Sequence, residues 1–122
     1  AFEWSVAHPP GYPLFTTIGY FLAHGLSIGS VAWRVSLVSS LSNALASVFL
    51  FLTILRSTYS KSVALFGALI FAFSPLTWQY STHAEVFGLN NLFVCVLMFL
   101  MVTYEQTGSK SVLFSGAAIC GL

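Results

Sequence analysis

The sequence contains very little charge. Four Lys and Arg residues and three Glu residues carry the fixed charges of a chain of 122 residues, and Asp is absent. About a quarter of the residues in a typical soluble domain are charged, so a soluble fold of this size could not cover its surface. The net charge of +1 also offers no basic patch for nucleic acid and no match for an acidic partner. These deficits indicate a chain whose surroundings are largely lipid bilayer.

Residues for metal and cofactor chemistry are equally scarce. The two cysteines, Cys95 and Cys120, lie inside apolar runs and are interpreted as small buried hydrophobic residues rather than a disulfide or metal pair. The sequence has no zinc-ligand spacing, phosphate-binding loop, dinucleotide-binding glycine pattern or serine elbow. We therefore predict no metal site and no firm cofactor.

Long apolar runs are abundant. A helix of about 20 mostly apolar residues is long enough to cross a bilayer, and several runs have this length. Spans are predicted at residues 35–55, 62–80 and 86–104, with the start of a fourth at 111–122. Pro75 should kink or break the second span. Residues 1–34 are predicted to form a non-cytoplasmic loop with a short interfacial helix after Pro13. The expected fold is an all-α polytopic transmembrane helix bundle, with residues 1–122 in one transmembrane domain.

Two features of the sequence concern the extent of this chain and its orientation in the membrane. It begins at Ala1 without Met and stops at Leu122 inside an apolar segment, so we expect a fragment of a longer protein and only part of any site. Arg56, Lys61 and Lys110 fall in the loops on one side of the predicted spans, which the positive-inside rule makes cytoplasmic. The polar segments that remain are then on the opposite, non-cytoplasmic face.

The segment His8–Pro13, with sequence HPPGYP, is one of these polar segments. Its three prolines fix φ, lack an N–H and restrict the residue before each of them. The result is a rigid loop that carries the imidazole of His8 and the phenol of Tyr12. A rigid polar loop next to a membrane points to a functional site.

Residues 77–85 form the second polar segment, and each notable residue has two interpretations. Glu85 either stabilises a helix start or holds a sugar hydroxyl, a metal or the cation of Arg34. Arg34 either extends to the interface beside Trp33 or clamps a phosphate. Asn90 and its neighbour Asn91 either bond helices together or contact a ligand.

Four blocks of sequence carry a resemblance to a known family. They are Val6–Phe15, which contains HPPGYP, Ala32–Val35, Leu76–Gln79 and Ala84–Phe93, which reads AEVFGLNNLF. Together they resemble the polytopic membrane family of endoplasmic-reticulum protein O-mannosyltransferases that act on plexin-type IPT domains. The likeness extends from about residue 6 to residue 105.

The resemblance implies a GT-C type glycosyltransferase with its functional face in the endoplasmic-reticulum lumen. It implies transfer of mannose from dolichyl-phosphate mannose, a polyprenyl-phosphate donor, to Ser or Thr of lumenal IPT-type protein domains. On this basis Glu85 and His8 are predicted to be catalytic. The predicted substrate-binding residues are Tyr12, Arg34, Trp78, Gln79 and Asn90.

One departure from the family pattern concerns the principal catalytic carboxylate. In the family an acidic motif with an Asp precedes the HPPGYP block, and this chain begins too late to contain it. Glu3 does not match that motif, so the fragment alone should be inactive. Two alternatives stay open: a transporter or flippase for lipid-linked sugars, or a non-catalytic membrane scaffold.

Overall fold

A computed structural model describes residues 12–121 as a bundle of helices. In chain order these are α1 (Pro13–Gly25), α2 (Val31–Thr58), α3 (Lys61–Ala72), α4 (Pro75–Thr82), α5 (Phe87–Thr107) and α6 (Lys110–Cys120). No strand occurs within this range. The prediction of an all-α membrane bundle is confirmed.

Short polar residues set where these helices begin. Ser30, Ser60 and Ser74 each accept a hydrogen bond through the side chain from a backbone N–H in the first turn of α2, α3 and α4. Such caps satisfy N–H groups that have no partner inside the helix. Residues in the left-handed region end α2 at Tyr59, with φ of 55°, and α5 at Gly108, with φ of 62°.

Two helices, α2 and α5, are long and apolar enough to cross a membrane. The pair α3 and α4 passes the same test together but is bent by 57° at its break, as one broken span or a re-entrant loop. The break lies at Phe73 and Ser74, and Pro75 opens α4, so the interruption predicted at Pro75 is present. Helix α6 has 11 residues and is shorter than a span.

Helix α2 is the centre of the bundle, and α5 runs parallel to it. Ser39 of α2 hydrogen-bonds to Glu85 just before α5, Asn43 bonds to Asn91, and Arg56 bonds to Thr103. The residue numbers of these pairs rise together, which shows that the two helices run in the same direction. Helices α1, α3 and α4 also pack on α2, and α6 packs on α5. The buried positions are mostly small residues, whereas many large apolar side chains are exposed, as expected when lipid is the solvent.

The parallel pair gives the bundle two distinct ends. At one end lie the first turns of α2 and α5, the end of α4 and the start of α1; we call this the Glu85 end. At the other lie the last turns of α2 and α5 with the starts of α3 and α6; we call this the Arg56 end. Arg56, Lys61 and Lys110 belong to the Arg56 end, and Arg34, in the first turn of α2, belongs to the Glu85 end.

Candidate functional site

A cavity of about 560 Å³ opens at the Glu85 end between α1 and α5. Its walls are the first turn of α1, with Tyr12 and Phe15, and the first two turns of α5, with Phe87, Asn90 and Phe93. The structure thus brings together Tyr12 and Asn90, two of the predicted substrate-binding residues. Apolar walls with a few polar groups are typical of small-molecule sites.

A second cavity of about 490 Å³ lies at the break between α3 and α4. Ser74, Thr77 and Tyr80 line one wall, and Phe87 and Asn91 line the other. The ring of Phe87 borders both cavities and lies 4.6 Å from the ring of Tyr80, centroid to centroid. The adjacent residues Asn90 and Asn91 therefore face different cavities.

Glu85 lies in the short connection between α4 and α5 and is exposed. Its backbone is held on both sides by one hydroxyl of α2. The Ser39 hydroxyl donates to the carbonyl oxygen of Glu85 at 2.7 Å and accepts from its N–H at 3.1 Å. Within residues 12–121 the carboxylate itself makes no hydrogen bond or ion pair.

A row of neutral hydrogen bonds joins α2, α4 and α5 beneath this connection. Nδ2 of Asn91 donates to Oδ1 of Asn43 at 3.0 Å, and Nδ2 of Asn43 donates to Oγ of Ser81 at 3.0 Å. The Ser40 hydroxyl donates to the carbonyl oxygen of Ser81 at 2.5 Å. Asn91 thus has the helix-bonding role that was one of its two interpretations.

Close approach of the two long helices makes this row possible. A Cβ atom at Gly88 would lie 2.7 Å from the carbonyl oxygen of Ser39 and 3.1 Å from Nδ2 of Asn43. Sequence analysis did not single out Gly88 or Ser81. Ser39, Asn43 and Ser47 follow one another at four-residue spacing on α2, a row of small and polar residues that is typical of a packing face.

Arg34 turns toward the backbone at the end of α1. Its Nη1, Nε and Nη2 donate to the carbonyl oxygens of Ala23 at 2.8 Å, Ile28 at 3.0 Å and Gly29 at 3.0 Å. A guanidinium has five N–H donors, so two remain for another acceptor. This geometry adds a backbone-holding role that neither sequence interpretation contained, and the phosphate contact stays a prediction.

The other predicted site residues lie apart from both cavities or outside the described range. Trp78 and Gln79 are exposed on α4, and the Trp78 ring stacks near that of Phe73 at 6.1 Å between centroids. His8 lies outside the residues that the structure describes. Within the described range no group of three His, Cys, Asp or Glu side chains is placed to hold a metal ion.

Within residues 12–121 these features define a polytopic membrane helix bundle that has, at one end, cavities between its helices and a carboxylate without a partner in that range. Comparison with known proteins identifies the family. The model of the family described as protein O-mannosyl-transferase TMEM260, N-terminal domain, matches residues 1–122. The chain belongs to this family, which confirms the resemblance found in its sequence.

Two curated relatives show how much of such a protein the chain represents. It is 46% identical over 108 residues to protein O-mannosyl-transferase tmem260 of Dictyostelium discoideum, covering 87% of this chain and 13% of that protein. It is 47% identical over 126 residues to protein O-mannosyl-transferase TMEM260 of Mus musculus, covering 100% of this chain and 18% of that protein. The chain thus spans less than a fifth of either relative. No solved structure matches it significantly.

Proposed function

We propose that the chain is part of a membrane glycosyltransferase that moves mannose from dolichyl-phosphate mannose to Ser or Thr hydroxyls of lumenal IPT-type domains. The names of both relatives, protein O-mannosyl-transferases, support the reaction class. The single structural observation that carries the proposal is the cavity between α1 and α5. It combines apolar walls, which suit a polyprenyl lipid, with the hydroxyl of Tyr12 and the amide of Asn90.

The residues of the Glu85 end suit the two demands of such a transfer. The acceptor hydroxyl needs a base, and the departing lipid phosphate is an anion that needs stabilisation. We assign Arg34 and His8 to the phosphate side, and Glu85 with Trp78 and Gln79 to the sugar or acceptor side. The principal Asp of the reaction would come from the part of the protein that precedes this chain.

The proposed location is the endoplasmic-reticulum membrane, with the Glu85 end in the lumen. Three of the four basic residues, Arg56, Lys61 and Lys110, lie at the Arg56 end, and cytoplasmic loops carry an excess of Lys and Arg. The donor and the acceptor would then meet at the end that holds both cavities and the Glu85 carboxylate.

The test is mannose transfer by the full-length protein in liposomes. Labelled dolichyl-phosphate mannose is supplied with an IPT-domain acceptor, and the modified residues are mapped by mass spectrometry. We expect mannose on Ser or Thr, and a sharp loss of transfer in His8→Ala. In the control, a water-soluble nucleotide-linked mannose replaces the lipid-linked donor, and no mannosylated product should form. A folded wild-type protein that transfers nothing from the lipid donor would contradict the proposal.

Arg34→Ala measures the phosphate role separately. We expect the KM for the lipid donor to rise about 10-fold, as for loss of one charge-assisted contact of about 1.5 kcal/mol. Because Arg34 also holds the end of α1, the KM for the acceptor domain is measured in the same preparation. Unchanged donor kinetics, or an equal rise in both KM values, would remove Arg34 from the phosphate side.

The broken helix pair α3 and α4 favours a second candidate, a flippase for lipid-linked sugar. Interrupted spans recur at the binding sites of membrane transporters, and this pair bends by 57° beside the second cavity. Labelled dolichyl-phosphate mannose is placed in one leaflet of the liposomes without acceptor. Movement to the other leaflet without transfer in the parallel assay would favour the flippase.

A further inference from the structure

The hydroxyl of Ser39 holds Glu85 from the middle of the bundle. Ser39 has 0% of its surface exposed, and its Oγ bonds both the carbonyl oxygen and the N–H of Glu85, at 2.7 and 3.1 Å. The N–H of Glu85 is also bonded to the carbonyl oxygen of His83 at 2.9 Å. One buried hydroxyl thus engages both polar groups of the Glu85 backbone.

We propose that Ser39 is a positioning residue for the Glu85 carboxylate in mannosyl transfer, a proposal that rests on the function proposed above. Glu85 lies between the end of α4 at Thr82 and the start of α5 at Phe87, where no helical ladder fixes the backbone. The direction in which its side chain leaves the backbone therefore depends on the contact to α2. Ser39 supplies that contact from the longest helix of the bundle.

The neighbouring contacts indicate that Ser39 positions Glu85 and does not only fill space between the helices. Ser40 and Asn43 hold Ser81 in the last turn of α4, two residues before the connection begins at His83. Gly88 brings the first turn of α5 so close that a Cβ atom would meet the backbone of Ser39. The connection is thus fixed before, at and after Glu85, while the carboxylate itself has no partner within the described residues.

A double-mutant cycle in the full-length protein separates positioning from general stability. Ser39→Ala removes the hydroxyl, and misplacing a reacting group by about 1 Å can reduce the rate about 100-fold. We expect kcat per folded protein to fall about 10- to 100-fold, with the KM for the lipid donor changed less than about 3-fold. In a Glu85→Gln background the same substitution should change kcat less than about 2-fold, because coupled residues are not additive.

Two further variants keep this comparison decisive. Ser47→Ala removes a hydroxyl from α2 that bonds only the carbonyl of Asn43 in its own helix, and it should leave kcat unchanged. Ser39→Cys keeps a weak donor and acceptor and should fall between wild type and Ser39→Ala. If Ser39→Ala does not fold, Ser39→Cys takes its place in the cycle.

Amide hydrogen exchange gives a readout that does not require activity. Ser39→Ala should raise exchange in residues 83–86 at least 10-fold, and Ser47→Ala should not. The positioning role would be overturned if Ser39→Ala lowered kcat equally in the wild-type and Glu85→Gln backgrounds. It would also be overturned if Ser39→Ala left amide exchange in residues 83–86 unchanged. A folded wild-type protein without transfer would instead overturn the proposed function, and exchange would still show whether Ser39 holds this connection.

Discussion

The two ends of the α2–α5 pair are joined by different chemistry. At the Arg56 end a cation makes the contact: Nη1 of Arg56 donates to Oγ1 of Thr103 at 2.6 Å, and its guanidinium carbon lies 4.8 Å from the Phe99 ring centroid. Nε2 of Gln106 donates to the carbonyl oxygen of Arg56 at 3.0 Å. At the Glu85 end, neutral hydroxyl, amide and backbone groups make the described hydrogen bonds that join α2 to α5 and to the residue Glu85 just before it.

The difference shows that a charged side chain helps to join α2 and α5 at the Arg56 end and that, among the described residues, none does so at the Glu85 end. The Arg56 cation is used within the pair, by a hydroxyl and an aromatic face. The Glu85 carboxylate is left without a partner among the described residues, and the next residue, Val86, lines the cavity of about 560 Å³. Under the proposed function, this carboxylate is the group that contacts the sugar or the acceptor.

The largest contrast between the ends should come from their glutamates. We expect Glu85→Gln in the full-length protein to lower kcat for mannose transfer about 10²- to 10⁴-fold, the range for loss of an acid–base group. Glu105→Gln removes the same charge from the exposed end of α5 near Arg56 and should leave kcat unchanged. Equal effects, or none at Glu85, would remove the functional distinction between the ends.

Two glycines test whether close helix approach belongs to the Glu85 end. Gly88→Ala should destabilise the protein by about 1–3 kcal/mol, as overpacking does, because the new Cβ would lie 2.7 Å from the Ser39 carbonyl oxygen. In α6 no atom lies within 4 Å of a Cβ at Gly116, so Gly116→Ala should be neutral or slightly stabilising. Thermal unfolding in detergent measures both, and a destabilisation at Gly116 as large as at Gly88 would contradict this account.

The adjacent asparagines at the Glu85 end are expected to have different roles, Asn91 in stability and Asn90 in substrate binding. Asn91→Ala should lower stability by about 0.6–1.7 kcal/mol, the range measured for hydrogen bonds between membrane helices, because Oδ1 of Asn43 loses its donor. Asn90→Ala should leave stability unchanged and raise the KM for a substrate, since Asn90 lines the larger cavity. The assignment fails if the two substitutions have exchanged effects.

The smallest effect is expected at the Arg56 end. Arg56→Lys keeps the charge that orients the span but loses the planar group that reaches Thr103 and Phe99. We expect a loss of stability of about 0.5–1 kcal/mol with no change in kcat. A fall in kcat comparable to that of Glu85→Gln would mean that the Arg56 end takes part in the reaction.

The elements of this fold could be predicted from local sequence, because a span needs only length and hydropathy. The interruption before Pro75 was predicted for the same reason: the ring forbids an interior helical hydrogen bond. The division of Asn90 and Asn91 between two different cavities was not predicted, since it depends on how α5 is rotated against α2.

Long-range contacts explain the rest of what sequence analysis missed. Ser39 and Glu85 are 46 positions apart, and nothing in either segment encodes their register. Gly88 is informative only once the facing backbone is known. Arg34 was expected to extend to the membrane interface or to clamp a phosphate, and three carbonyl groups of the α1–α2 region take up three of its five donors. Pairing between distant helices therefore had to come from the structure.

The central claim is that the Glu85 end faces the lumen and the Arg56 end the cytoplasm. Labelling with a membrane-impermeant thiol reagent in sealed endoplasmic-reticulum vesicles tests it directly. His83→Cys reports on the connection before α5, and Ser109→Cys on the turn after it, each compared with unsubstituted protein. The account predicts that Ser109→Cys reacts from outside and that His83→Cys reacts only after the vesicles are opened. The reverse pattern, or reaction of both from outside, would contradict it.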